Sequence, residues 1–326
     1  MTRIVFMGSP DFAVPLLHAL VESGHDVVGV VTQPDREAGR GRKLVPPAVK
    51  LAAVALDLPV LQPRSVRRPE AVEELAALRP DLIVVAAFGQ ILRRNVLELP
   101  ARGVLNVHAS LLPRWRGASP VTAAILAGDE QTGVSIMLLD EGLDTGPVLS
   151  MRSSPIEDSD TGGSLTATLA EMGANLLVET IPGWLDGTVE ATDQDDTHAT
   201  YAPRIDKESG RIDWSQPATQ IWRQVRAYNP WPGAFTAYGA SQLKIEEAWP
   251  LTGYAIEPPG TVVSLPYGAV ERVPAERPRP AFAIVTGDGF LLPLRLQRSG
   301  KRSMYAEEFF RGERSMVGSR LGDVIE

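Results

Sequence analysis

Two patterns in the chain predict an α/β domain on a mainly parallel, Rossmann-like sheet, followed by a second domain that is a small β-barrel. Up to about residue 185, short apolar runs alternate with helical periodicity, which is the signature of βαβ units. Beyond a polar, acidic stretch at 186–199, the grammar changes to brief apolar runs punctuated by Gly and Pro, as in a small barrel or sandwich. The length, 326 residues, independently favours about two domains. The expected boundaries are 1–185 for the first domain, 186–206 for a linker and 207–326 for the second.

The elements follow in order. Residues 3–7, RIVFM, form a short strand that ends at Gly8-Ser9-Pro10-Asp11. Ser9 suits an N-cap and Pro10 the first position of a helix running to about Ser23-Gly24. DVVGVV at 26–31 is the next strand, and DLIVVAAF at 81–88 is apolar enough to be buried on both faces. Helices are expected near 47–56 and 69–78. VLNVH (104–108), VSIML (134–138) and PVLSM (147–151) complete the strands, and a long helix spans about 163–185. In the second domain the strand-like runs are 233–238, 260–265, 282–287 and 289–296, with helices only at 215–227 and 305–311. Ligands of open parallel sheets bind beyond the carboxyl ends of the strands. That directs attention to Phe88, His108 and the loop between 139 and 146.

Composition removes several classes of function. The chain has no cysteine, so disulfides, thiolate nucleophiles and Cys-ligated metal sites are excluded. No apolar run is long enough to span a bilayer, and the first residues lack the pattern of a signal or transit peptide. A bacterial cytoplasm is the expected setting, with no membrane partner and nothing demanding more than a monomer. The net charge of −8 is unevenly distributed: 16 Lys and Arg face 26 Asp and Glu over 1–199, and 16 face 14 thereafter. Within the acidic half, Arg36, Arg40, Arg42, Lys43 and Lys50 face only Glu37 across 36–50. Local cationic clusters of this kind govern phosphate affinity more than overall charge does.

There are four histidines. His18 falls inside a helical pattern and His198 in the acidic stretch. His25 follows a helix end, where a positive group suits the dipole. His108 stands apart, because it ends a strand in Asn106-Val107-His108. Strand alternation places Asn106 and His108 on one face. Two polar groups there would be costly to bury without a task. An amide beside an imidazole is suited to donating hydrogen bonds to a developing oxyanion. A nearby carboxylate would orient the ring or favour its protonated form, and Asp140, Glu141 and Asp144 all lie in one loop; the pattern does not choose among them. Nucleophile-elbow, G-x-G-x-x-G and phosphate-loop motifs are absent, so covalent, hydride and phosphoryl chemistry are poorly supported.

NVHASLLPRWRGASP (106–120) and LDEGLDTGPVL (139–149) resemble the folate-dependent formyltransferase family. The stretches 32–50, 211–235 and 300–314 resemble the basic insertion loop and the opening and closing segments of the second domain in its tRNA-directed members. The resemblance therefore covers essentially the whole chain. It implies transfer of a formyl group from 10-formyltetrahydrofolate to the α-amino group of the methionine on initiator methionyl-tRNA, with no metal. By motif position it implies Asn106, His108 and Asp144 as catalytic residues, the first two stabilising the oxyanion and Asp144 supporting the imidazolium. It assigns Ser110, Leu111, Leu112 and Pro113 to folate binding, and Phe88, Gly89, Gln90, Ile91 and Leu92 to the pterin pocket. It assigns Arg36, Arg40, Arg42 and Lys43 to the tRNA, and gives the second domain an OB-like barrel. Ala109, Phe88 and Pro147 depart from common family residues without removing a needed chemical group. A formyltransferase for a small amine would share the polar triad but need neither basic loop nor barrel. An inactive tRNA-binding protein would keep the loop and barrel but not the triad.

Overall fold

The computed structural model describes residues 1–38 and 43–322. The first half contains β1 (Arg3–Gly8), α1 (Val14–Glu22), β2 (Asp26–Val31), a hairpin of β3 (Arg36–Ala38) and β4 (Lys43–Val45), α2 (Ala48–Ala55), β5 (Val60–Leu61), α3 (Pro69–Ala77) and β6 (Leu82–Ala86). There follow α4 (Arg94–Leu97), β7 (Val104–His108), β8 (Arg116–Gly117), α5 (Pro120–Ala127), β9 (Gln131–Leu138), β10 (Val148–Pro155), α6 (Gly162–Asp186) and β11 (Tyr201–Ala202). The second half contains α7 (Ala218–Ala227), β12 (Ala234–Tyr238), β13 (Ser241–Leu251), β14 (Val262–Val263), β15 (Ala283–Val285), β16 (Phe290–Arg298), β17 (Ser303–Tyr305) and α8 (Ala306–Gly312).

The chain divides into two compact units. One comprises Met1–Pro120, Glu130–Ile156 and Leu165–Ala202; the other comprises Val121–Asp129, Glu157–Ser164 and Pro203–Glu326. The first unit is built on a seven-stranded sheet in the order β10-β9-β7-β6-β1-β2-β5. From β5 to β7 all pairings are parallel, while β9 and β10 run antiparallel at one edge. The sequence explains the centre: every residue of β6, Leu-Ile-Val-Val-Ala, is buried, as a strand covered on both faces must be. Helix α6 buries Leu165, Leu169, Leu176, Leu177 and Ile181 along one stripe. Its Gly173 permits close approach to β7, since a Cβ there would lie 2.9 Å from Val107 Cγ1. Val107 therefore faces α6, and alternation turns Asn106 and His108 to the opposite face of the strand.

The beginning of α1 differs from expectation. A 3-10 turn at Asp11–Ala13 precedes the helix, and Ser9 caps nothing. Its hydroxyl instead accepts a hydrogen bond from Gln33 N at 3.1 Å and lies 3.4 Å from Phe88 O. Ser9 thus ties together the carboxyl ends of β1, β2 and β6. A second difference concerns Lys50, whose ammonium is paired with Asp35 at 2.8 Å. The Gln62 amide and Lys50 hold the Asp35 carboxyl below its usual range. The positive run therefore ends before Lys50.

In the second unit, β12, β13, β16, β15 and β14 form an antiparallel sheet with β17 added on β16, a half-barrel. Its core gathers Trp214, Ile221, Val225, Leu243, Ile245, Phe282, Leu291 and Leu296. Trp214 satisfies its buried indole N–H on Thr236 Oγ1 at 3.0 Å.

Overpacking the α6–β7 contact tests this arrangement. Gly173→Leu is expected to destabilise the protein by about 1–3 kcal/mol, the usual cost of forcing extra carbon into a filled core. The readout is the denaturant midpoint, and an unchanged midpoint would show that α6 does not lie against Val107.

Candidate active site

β7 carries Asn106 and His108 into the sheet, opposite Met137 and Ser135 of β9. They remain 8% and 6% exposed, among the few polar residues so deeply placed. The Asn106 amide makes no hydrogen bond among the described residues, and its polar atoms are not among the fully buried ones left without a partner. Its N–H groups are therefore free for a ligand. The His108 ring is fixed by one bond, Nε2 to Trp115 O at 2.9 Å. A carbonyl oxygen only accepts, so Nε2 carries the hydrogen. Nδ1 then faces Asp144 Oδ2 at 3.8 Å. That distance exceeds a hydrogen bond, and the two groups form an ion pair only when the ring is protonated.

The structure separates the three acids of the 139–146 loop. Asp144 adopts φ 52°, a left-handed conformation that Asp tolerates better than most residues, and its Oδ2 accepts Gly117 N at 2.8 Å. Asp140 is a brace, accepting Gly142 N at 3.0 Å and the Thr145 hydroxyl at 2.8 Å. Glu141 is exposed. Only Asp144 reaches His108.

Ser110, Leu111, Leu112 and Pro113 form a tight turn beyond β7. Ser110 Oγ donates to Arg114 O at 2.6 Å. Ser135 Oγ accepts Leu112 N at 3.1 Å and donates to Ser110 O at 2.7 Å. Leu112 is buried against Met137 and Val148. The loop after β6 bends through left-handed Ala87 and Gly89. Phe88 and Leu92 point into the hydrophobic core, Ile91 is exposed, and the Gln90 amide accepts Val66 N at 2.9 Å. What this loop offers a ligand is chiefly backbone.

Arg36 and Lys43 stand on the β3–β4 hairpin, Arg36 bonded to Gln33 Oε1 at 2.9 Å. Arg40 and Arg42 lie outside the described residues. The remaining histidines are elsewhere. His198 is exposed beside Asp195 at 3.2 Å. Burial and the neighbouring N-terminus lower the His25 pKa, which opposes the cationic helix-end role its position suggested.

Sequence reasoning missed a further layer. Arg116, its side chain 2% exposed, donates to Gln194 Oε1 at 3.0 Å and to Asp196 Oδ1 at 2.7 Å. Burial lowers its pKa, but Asp196 and Tyr201 outweigh that and raise it overall, so the guanidinium stays charged. Gln194 Nε2 in turn donates to Asp144 O at 2.8 Å and Gly146 O at 2.7 Å. The acidic stretch 186–199, read as a linker, thus carries residues bonded to the site. Neither periodicity nor a motif marks them.

A donor amide, an imidazole with one committed nitrogen and a facing carboxylate at the mouth of a parallel sheet suit acyl-type transfer. Comparison with known proteins agrees. Residues 2–181 match the formyl transferase family and residues 204–314 match the formyl transferase C-terminal domain. The chain belongs to the formyl transferase family. Within it, the similarity is to proteins named methionyl-tRNA formyltransferase. One, from Roseiflexus sp. (strain RS-1), is 47% identical over 98% of this chain and 95% of its own length. Another, from Chloroflexus aurantiacus, is 52% identical over 80% of this chain and 84% of its own. A solved methionyl-tRNA formyltransferase from Clostridium thermocellum shares the fold, with TM-score 0.55 and 17% identity over 76% of this chain and 93% of that one.

The three loop acids make a graded test. Asp144→Asn is expected to slow formyl transfer strongly, whereas Glu141→Gln leaves it near wild type and Asp140→Asn, still able to accept from Gly142, costs little. Steady-state turnover of the three variants decides it. Greater damage from either of the other two would displace Asp144 from its role.

Proposed function

We propose that the protein transfers the formyl group of 10-formyltetrahydrofolate to the α-amino group of methionyl initiator tRNA, in the cytoplasm of a bacterium. The observation that carries this reading is the free Asn106 amide beside a His108 whose Nδ1 is turned toward Asp144. The named relatives, matching nearly the whole chain, supply the substrate. Turn 110–113 and the backbone of 87–92 would hold the folate, and Arg36, Arg40, Arg42 and Lys43 the tRNA.

Attack of the amine on the formyl carbon forms a C–N bond and moves the carbonyl electron pair onto oxygen. The Asn106 N–H donates to that oxygen as charge develops. With Nε2 held by Trp115, Nδ1 is the ring atom left for the reaction. Protonated, it is a second donor, and Asp144 offsets its charge. As the tetrahedral centre collapses, the leaving nitrogen of the folate gains a proton while the amine loses one. In this reading Nδ1 and the Asp144 carboxylate, 3.8 Å apart, pass that proton through a bridging water.

Incubation with 10-formyltetrahydrofolate and methionyl initiator tRNA should yield formylmethionyl-tRNA, detected by mass. No product with this tRNA, and product with a small amine, would overturn the reading. Asn106→Ala and His108→Ala are each expected to lower turnover about a hundred- to a thousandfold while folate binding persists, as for loss of an oxyanion donor. Near-normal turnover at saturation in either variant would remove that residue from the chemistry.

Arg40→Ala and Arg42→Ala should each weaken tRNA binding and flatten its salt dependence by about one unit of slope or slightly less. Lys50→Ala, whose charge Asp35 already neutralises, should leave the slope near wild type. A salt series of tRNA affinities for the four proteins checks both. Equal slopes throughout would leave the loop a surface turn.

A further inference from the structure

We infer that residues 192–202 act as a strap that positions the reacting pair, with Gln194 as the positioning residue; this rests on the formyl-transfer reading above. The two bonds that aim the pair come from residues on either side of Arg116. Trp115 O holds His108 Nε2 at 2.9 Å, and Gly117 N holds Asp144 Oδ2 at 2.8 Å. A displacement of this tripeptide would therefore turn the imidazole and release the carboxylate together.

The strap bonds the first two residues of the tripeptide and the residue that follows it. Trp115 N donates to Thr200 Oγ1 at 2.9 Å and Arg116 N to Thr200 O at 2.9 Å. Next along the chain, Ala118 N donates to Ala202 O at 2.9 Å, completing the parallel pairing of β8 with β11. Gly117 has φ 113° and no room for a side chain, since a Cβ would lie 2.6 Å from Ala202 O. At the other end, Thr192 and Val148 exchange two backbone hydrogen bonds of 2.8 Å, anchoring the strap where β10 begins.

Gln194 then joins both parts of the site through one side chain. Its Oε1 accepts from the buried Arg116 guanidinium, and its Nε2 donates to Asp144 O and Gly146 O. The two carbonyls, Asp144's own and that of Gly146, flank Thr145, so the amide holds the chain where it leaves the left-handed Asp144. Glutamine alone among side chains of this size presents an acceptor to a cation and two N–H donors to two carbonyls. Glutamate would keep the bond to Arg116 but set a second anionic oxygen against Asp144 O and Gly146 O. Gln194→Glu therefore separates the two roles.

The test uses the full-length protein with Gln194→Ala and Gln194→Glu. We expect kcat to fall about ten- to a hundredfold in each, the scale of a misplacement near 1 Å. KM for the formyl donor and for tRNA should stay within about threefold, because the lost interaction does not contact either substrate. In the double variant Asp144→Asn/Gln194→Glu, turnover should be no lower than in Asp144→Asn alone, since Gln194 acts through Asp144. The His108 ring ¹⁵N resonances, recorded without substrates, should shift in both single variants. If Gln194→Ala does not fold, the same-sized Gln194→Glu carries each of these readouts. Unchanged kcat with unchanged His108 resonances would overturn the strap, and so would full multiplication of the two rate losses in the double variant. If the wild type formylates no amine while the His108 resonances still respond to Gln194, the reaction assignment fails and the strap stands.

Discussion

One hydrogen bond, from His108 Nε2 to the carbonyl of Trp115, sets the chemistry available to the site. Because that acceptor can take nothing but an N–H, it fixes the tautomer of the neutral ring and leaves Nδ1 as the ring nitrogen turned toward Asp144. Everything around it serves to keep the acceptor still. The strand pairing of β8 and β11, the threonine at 200 and the buried guanidinium of Arg116 all constrain the same few backbone atoms. β7 carries Val107 toward α6 and therefore turns His108 toward Trp115 and Asp144.

The fold was legible in the sequence wherever apolar spacing was regular. β2 and β7 begin and end where the pattern does, and α6 differs from it by one residue at each end. β13 escaped for a physical reason. Its buried residues Leu243, Ile245, Ala248 and Leu251 are spaced by two, three and three, because irregular register on either side of Glu247 breaks the alternation. Such spacing imitates a helix as much as a strand. Ser9 misled in a different way. A hydroxyl before a proline is a good cap by local rules, yet three strand ends converge on it and offered better partners.

The site divides along the same line. That Asn106 and His108 share one face of β7 was legible because strand alternation is local information. Choosing Asp144 over Asp140 and Glu141 from the residues alone was not possible, since the choice depends on Gly117 being brought across 27 positions of chain. Gln194 lies farther still from legibility: its partners Asp144 and Arg116 are 50 and 78 residues away, and a polar side chain in an acidic stretch looks like solvent-exposed filler. Lys50 shows the converse error. Counting charges over 36–50 stopped one residue short of Asp35, the group that cancels it.

The composition of the second unit has a consequence for how such chains can be recombined. Val121–Asp129 and Glu157–Ser164 are encoded within the first half yet cluster with the half-barrel. Their carbonyls are met by one helix: Leu126 O by Gln220, Ala127 O by Arg223 and Asp160 O by Arg226 at 2.8 Å. A chimera that exchanges everything after residue 202 between two relatives would give α7 foreign acceptors at two distant places in the gene. Such an exchange keeps the acceptors of α7 only if 121–129 and 157–164 are exchanged with it, because the second unit is assembled from three separate stretches of chain.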